Sequence, residues 1–334
     1  MRALLLNLLL AGTSSPSKFL RTCGIMHKAH AIEIFNAATD AVQPARLLQA
    51  HLAVTNDALI ICGQAFSKDS FGHLYVIGAG KAAAAMAVET ENILGHSITD
   101  GVVTTKYEHA LPTQRIRVIE AAHPVPDAAS IAAVQQTLEM LQKATSDDLV
   151  ICLLSGGASA LWCDVPPQLS LTEIQETFKQ LIHSGAGIEE VNVVRKHLSL
   201  IKGGQLVRHC GGAQVVSLII SDVPGDSLDV IASGPTVPDA SSFSDVQKIL
   251  TKYGLHSRLP SAVHLYIEKG LNGMVPETPK KNDPIFSQTL NFIIGNNKVA
   301  LLAAAQKAKI LGYHIHLISE LVTGNTVQLS LIHI

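Results

Sequence analysis

The sequence predicts an α/β protein with three αβα layers, a mostly parallel sheet carrying helices on both faces. Apolar runs of strand length alternate along the chain with helix-length segments of 3.6-residue period, the order that builds parallel sheets through crossover helices. Strand runs such as L-V-I-C-L-L at 149–154 are apolar throughout, as strands buried on both faces are. Apolar residues make up 47% of the chain and aromatic residues only 4%, which suits helices packed on a sheet better than an all-β sandwich.

Taken in order, Ile32, Phe35, Ala38 and Val42 recur on one face of a helix over residues 30–42, stopped by Pro44. A second helix runs through Leu47, Leu48 and Leu52. Residues 74–77 form a short buried strand, and Gly78-Ala79-Gly80-Lys81 opens an Ala-rich helix over 82–94. Strands follow at 102–105 and 116–122. His123-Pro124-Val125-Pro126-Asp127 is a rigid loop whose Asp127 caps a helix reaching Lys143. The strand from Leu149 empties into Ser155-Gly156-Gly157, and helices are expected at 171–183 and 188–200. The second of these carries Asn192, Arg195, Lys196 and Ser199 and leads into Lys202-Gly203-Gly204. A strand at 215–220 ends in Ser221-Asp222-Val223-Pro224-Gly225-Asp226. From Leu259 to Gln288 the sequence turns polar and loses its period, and Pro276, Pro279 and Pro284 beside Lys280 and Lys281 mark a linker or mobile loop. A strand at 292–294, a helix at 297–311 and a strand at 314–318 complete the reading. No internal repeat is evident, and the whole is Rossmann-like.

At 334 residues the chain fits one large or two medium domains. A net charge of −2 gives no basic field, which argues against nucleic acid as a partner. The apolar run at 3–11 is too short to span a membrane. Fifteen histidines show no metal-ligand spacing. Five cysteines, with no C-x-x-C and no N-x-S/T sequon in the chain, suit a reducing compartment. Arg2, Lys18, Arg21 and Lys28 precede the first acid, Glu33, with Ser14, Ser15 and Ser17 among them. That pattern reads residues 1–28 as a mitochondrial presequence, with Met26 as an internal start for a cytoplasmic form.

Three strand ends carry candidate chemistry. Ser155, Gly156 and Gly157 can bring backbone N–H groups and a hydroxyl to an anion; the plain alternative is an ordinary tight turn. Gly78-Ala79-Gly80-Lys81 can hold a phosphate on the free N–H groups of the helix it opens. It is not a P-loop, which needs four residues between its glycines, but with Ala83 it matches a degenerate dinucleotide fingerprint. That fingerprint expects an acid at the end of the next strand; Lys106 stands there, which disfavours NAD and leaves NADP open. Lys81 in a first helical turn opposes the macrodipole, which a phosphate would justify and a solvated surface would not require. Asp222 and Asp226 can hold Mg²⁺ or take a hydroxyl proton, against the bland reading of turn formers. Arg195 and Lys196 can grip a carboxylate, against a solvated helix face. His123, Cys152 and Cys163 read as structural. The combination suggests phosphoryl transfer.

The motifs G-A-G-K-A-A-A-A-M-A from Gly78, A-H-P-V-P-D from Ala122 and L-S-G-G-A-S-A-L from Leu154 resemble the class II glycerate kinases with a MOFRL-type C-terminal domain. So do N-x-x-R-K-x-L-S-x-I-K-G-G from Asn192 and S-D-V-P-G-D-x-L-D-V-I-A-S-G-P-T from Ser221. The resemblance runs in order over about residues 31–317. It implies ATP- and Mg²⁺-dependent phosphorylation of a small molecule, D-glycerate, to 2-phosphoglycerate. It places Lys81 and Asp222 on the family's catalytic lysine and aspartate, with Asp222 on the hydroxyl or on Mg²⁺. By the same resemblance Gly78, Gly80, Ser155, Gly156, Gly157, Ser159 and Asp226 line a glycerate and ATP cleft, and Arg195 and Lys202 contact substrate or phosphate. Domains are expected at 29–285 (the glycerate kinase α/β domain) and 286–328 (the start of a truncated MOFRL-type domain), with 329–334 a non-native tail. The family's G-G-E and G-G-R-N-Q-E motifs do not occur, so this polypeptide alone is expected to have little kinase activity. An NAD(P)H-dependent hydroxypyruvate reductase and an inactive nucleotide-binding module are the alternatives.

Overall fold

The computed structural model describes residues 19–322, with side chains from His27 onward. The chain runs α1 (Phe19–Ala41), α2 (Pro44–His51), β1 (Leu52–Val54), β2 (Ala58–Ile61), β3 (Gln64–Ser67), β4 (Leu74–Ala79), α3 (Ala83–Leu94), β5 (Asp100–Lys106) and β6 (Ile116–Ala121). It continues with α4 (Ala128–Leu141), β7 (Leu149–Ser155), α5 (Ala158–Leu161), α6 (Leu171–His183), α7 (Ile188–His197), α8 (Gln205–Arg208) and β8 (Gln214–Ile220). The last elements are α9 (Phe243–Lys252), α10 (Ser261–Leu271), β9 (Thr289–Gly295) and α11 (Asn297–Ile310).

The described residues form two compact units, one of residues 48–294 and one of 19–47 with 295–322. The larger unit is built on a six-stranded sheet in the order β6-β5-β4-β7-β8-β9. β4, β5, β6, β7 and β8 pair in parallel, with Ala79 opposite Leu154 and Ser155 opposite Ile220. Every residue of β4 and β7 is buried, as the continuous apolar runs require. Ile77, Val102, Val150, Cys152 and Val215 form the core with Val134, Met140 and Leu206 from the helices. Asp127 caps α4 in a reciprocal arrangement with Ser130, as its position before the helix foretold.

This strand order has a consequence for function. The chain steps outward from β4 through β5 to β6, then returns to lay β7 on the other side of β4. The crossovers above and below β4 and β7 therefore diverge, and a crevice opens at the carboxyl ends of these two strands.

In the smaller unit, α1 and α11 pack through Ile34, Ala38, Ala300, Ala304 and Ala308. Lys307 pairs with Glu33 at 2.7 Å, and the Tyr313 hydroxyl meets ring nitrogens of His27 and His30 at 2.8 and 2.9 Å. Of the presequence-like stretch 1–28, residues 1–18 lie outside the described residues and 19–28 open α1; the tail at 329–334 also lies outside them.

Three expectations need correction. Residues 52–67 form a three-stranded antiparallel sheet, β1-β2-β3, that the sequence reading passed over. Its strands have three or four residues each, too few to show a period. Residues 259–288 are not a linker. They contain α10, whose Val263, Tyr266 and Ile267 bury against Phe243, Val246 and Leu250 of α9. The Pro-rich stretch after it is tied down: Phe243 N–H donates to Glu277 Oε1 at 2.7 Å, Asp239 N–H to the Pro279 carbonyl at 2.9 Å, and Thr278 Oγ1 to Asp239 Oδ2 at 3.0 Å. Finally, residues 314–318 are irregular, pairing with no strand among the described residues.

Candidate active site

The crevice is lined first by the two turns that leave β4 and β7. Gly78 is needed because a Cβ there would sit 2.4 Å from the Leu153 carbonyl oxygen of the neighbouring strand. Gly80, at φ +139°, lies against Ser155, where a Cβ would come within 2.1 Å of its Oγ. Part of the expected anion cradle is taken up by bonds to the neighbouring strand end and turn. The Lys81 N–H donates to the Gly156 carbonyl at 2.9 Å, the Ala82 N–H to Ser155 Oγ at 3.0 Å, and the Ala83 N–H to the Gly80 carbonyl at 3.1 Å. Gly78, Gly80 and Ser155 thus help hold β4 against β7. The donors leading into α3 are in part met by the neighbouring strand end.

What the turn does present is side chains. Lys81 is exposed, and among the described residues its ammonium has no hydrogen bond or ion pair. A methyl group on Gly157 would lie 3.1 Å from Cε of Lys81 and 2.9 Å from Nε2 of His123. A methyl group on Gly156 would lie 2.0 Å from Oδ2 and 2.4 Å from Cγ of Asp222. Gly156 and Gly157 are adjacent, so Lys81, His123 and Asp222, from the ends of β4, β6 and β8, converge on one peptide unit. Neither glycine could carry a side chain without displacing this group. Asp222 is exposed at the end of β8, as its place after an apolar strand suggested. Asp226 lies four residues on, half-buried at φ +55°.

His123 is the member that sequence reasoning set aside. It is followed by a cis bond to Pro124 and is half-buried. Burial lowers its pKa, and the charges of Lys81 and Lys106 lower it further, against the opposing pull of Asp222. The imidazole is therefore neutral at neutral pH. The sequence signal lay in its place at a strand end next to two prolines, which fixes a side chain as readily as it makes a turn.

Beside this cluster lies a cavity of about 600 Å³. His123, Gly157, Ser159, Arg195, Ser199 and Lys202 are among the residues that line it. The Arg195 Nη1 donates to Asn192 Oδ1 at 2.8 Å, and its guanidinium lies over the Phe178 ring, 5.1 Å from the centroid. Burial lowers its pKa from the ordinary arginine value, yet an arginine stays charged. The Asn192 carbonyl also accepts from Ser233 Oγ at 3.3 Å, and that hydroxyl meets Ser159 Oγ at 3.0 Å. Lys202 is buried, donating to the Trp162 carbonyl at 2.5 Å with Asp164 Oδ1 3.7 Å away. Lys196, read beside Arg195 as a carboxylate grip, turns inward to Asp239 at 3.2 Å and Asp229 at 3.4 Å. Burial raises the Cys163 thiol, which keeps it protonated and inert.

The candidate residues thus fall into three sets. Lys81, Gly156, Gly157 and Asp222 come together with His123; Ser159, Arg195 and Lys202 line the adjoining cavity; Gly78, Gly80 and Ser155 hold the turns, and Asp226 falls in none of the three. Among the described residues no three His, Cys, Asp or Glu side chains cluster as a metal cage.

Comparison with known proteins places this geometry in context. A profile described as "Domain of unknown function (DUF4147)" matches residues 30–268. A glycerate 2-kinase of Pyrococcus horikoshii is 40% identical over 294 residues, covering 88% of this chain and 65% of the relative. A protein of Agrobacterium vitis described as a putative hydroxypyruvate reductase is 42% identical over 237 residues, covering 71% of this chain and 52% of that protein. The crystal structure of a glycerate kinase from Thermotoga maritima superposes with a TM-score of 0.75 at 37% identity, over 88% of this chain and 65% of that one. The chain therefore spans just under two thirds of the length of the first of these relatives.

Proposed function

The chain belongs to the DUF4147 family, and on that footing we propose that it is a glycerate kinase, moving the γ-phosphoryl group of ATP to the 2-hydroxyl of D-glycerate. The observation that carries the reading is the meeting of Lys81 and Asp222 over Gly156 and Gly157, beside a cavity that presents an arginine. Phosphoryl transfer asks the protein mainly for positioning and for charge where the transition state gathers it. An exposed, unpaired ammonium at the crevice is suited to the transferring phosphoryl oxygens, so Lys81 takes that role. Arg195 has N–H groups beyond the one held by Asn192 and takes the glycerate carboxylate, with Lys202 adding positive charge from the cavity floor. Asp222, exposed and with no hydrogen bond among the described residues, orients the hydroxyl or supplies a carboxylate to Mg²⁺. A single carboxylate fits Mg²⁺, which enters such sites on the nucleotide phosphates and would there neutralise their charge.

The alternatives are separable. A reductase would bind NAD(P)H at the β4 turn, but β5 ends in Lys106 where NAD recognition expects an acid. The basic, acid-free stretch before Glu33 supports import into mitochondria, and initiation at Met26 would leave a cytoplasmic form; fractionation with a C-terminal tag tests this. Among the described residues no helix is long and apolar enough to cross a membrane.

The test is calorimetry of the purified chain with MgATP and with D-glycerate, followed by assays for ADP formation and for NAD(P)H oxidation with hydroxypyruvate. The kinase reading requires saturable binding of both ligands, and its absence overturns the proposal. NAD(P)H oxidation would favour the reductase, and nucleotide binding with no glycerate binding the inactive module.

A further inference from the structure

His123 occupies a place that neither Lys81 nor Asp222 shares. The cavity beside the cluster is bounded by His123 and Gly157, while Lys81 and Asp222 lie outside its lining. A Cβ placed on Gly157 would lie 2.9 Å from the His123 Nε2 and 3.1 Å from the Lys81 Cε, so the ring and the lysine chain meet over this glycine. A small acid held in the cavity with its carboxylate toward Arg195 shares that cavity with His123, the one of the three clustered side chains that lines it. Among the described residues the imidazole makes no hydrogen bond of its own.

From this placement we infer that His123 is a further catalytic residue, the group that takes the proton from the hydroxyl being phosphorylated. The inference rests on the kinase reading above. In the step, a lone pair of the glycerate hydroxyl oxygen forms the bond to the γ-phosphorus. The bond from that phosphorus to the bridging oxygen breaks, and its electron pair leaves with ADP. The hydroxyl proton passes to Nε2 of the neutral imidazole, and the imidazolium returns it to water after product leaves. The charged and titratable groups facing His123 are Lys81, Lys106 and Asp222. Burial and the two lysines hold the imidazole neutral and able to accept. A free carboxylate is the weaker base of the two candidates near neutral pH.

The experiment uses the full chain with D-glycerate and MgADP as probes, read by ¹H–¹⁵N NMR of the backbone and of the histidine rings. D-Glycerate is expected to shift both the Gly157 amide and the ring nitrogens of His123. If glycerate moves Gly157 and leaves the His123 ring unchanged, the inference is overturned while the kinase reading stands. If glycerate moves nothing, it is the kinase reading that falls. Turnover provides the second arm. His123→Gln keeps a polar group of similar reach that cannot hold a proton, so kcat should drop about 100-fold with KM for glycerate within threefold. The acid-side fall of the wild-type rate should vanish in this variant. Wild-type kcat and an unchanged pH profile in His123→Gln, with wild-type melting, would show the imidazole to be merely structural.

Discussion

Gly156→Ala separates the chemistry of the site from the stability of the fold. The added methyl would lie 2.0 Å from Oδ2 and 2.4 Å from Cγ of Asp222, and the three heavy atoms nearest to it all belong to that side chain. Asp222 is exposed and Gly156 has no left-handed φ, so the backbone accepts alanine and the carboxylate gives way. To move from 2.0 Å to the 3.4 Å where ordinary contact begins, Oδ2 must retreat by about 1.4 Å. A displacement of about 1 Å can cost about 100-fold in rate when the group positions a reacting atom. The variant should therefore melt within about 2 °C of wild type, the shift expected of well under 1 kcal/mol in a unit of this size. Its ATP-dependent phosphorylation of D-glycerate should fall by about two orders of magnitude, or its glycerate affinity by tenfold or more in calorimetry. Gly78→Ala is the contrasting control, because there the clash is with the Leu153 carbonyl of a paired strand and the fold itself must yield. If Gly156→Ala binds and turns over like wild type, the placement of Asp222 does not matter and the assignment fails. If it unfolds, Asp222 is held more rigidly than its exposure implies.

Lys81→Ala should leave the melting temperature unchanged, since the side chain is exposed and unpaired, while kcat or MgATP affinity drops by about 100-fold or more; unaltered kinetics would remove Lys81 from the mechanism. Ile267→Ala, in the segment whose sequence suggests a linker, should destabilise the larger unit by about 3 kcal/mol in urea unfolding because Ile267 is buried against α9; a neutral substitution would restore the linker reading. Glu190 accepts from Lys252 Nζ at 2.7 Å and Tyr253 Oη at 2.6 Å, and these bonds, Lys252 foremost, depress its pKa to about 2. A depressed acid stabilises the fold above its unfolded value near 4.5 and loses that contribution as pH falls toward 2. Glu190→Gln should accordingly lower stability at pH 7 by at most about 1 kcal/mol, and the gap to wild type should close between pH 4.5 and 2 when both are melted in parallel.

Local physics made much of the fold legible. The strands at Leu74 and Leu149, the helix at 171–183 and the Asp127 cap are written in apolar period and turn chemistry, each of which needs only a few neighbouring residues. The exposed places of Lys81 and Asp222 just beyond buried strands were legible for a related reason, since an apolar run that stops near a charged residue leaves that residue at the strand's end. The 52–67 sheet and α10 were not. The strands of the first are too short to repeat, and the buried face of α10 is four residues diluted among polar neighbours.

By itself, then, the sequence determined that the chain alternates buried strands with helices and that glycine-bearing turns and an unusual lysine follow particular strands. Tertiary structure alone decided what those turns do. Strand order, a pairing between residues some 75 positions apart, put the end of β7 against the end of β4 and so bonded the Lys81 and Ala82 N–H groups, just ahead of α3, to Gly156 and Ser155. The same pairing left Gly156 and Gly157 bare beneath Asp222, Lys81 and His123. A donor's partner and a glycine's missing Cβ are both settled by whichever strand happens to lie alongside, and no local pattern encodes that neighbour.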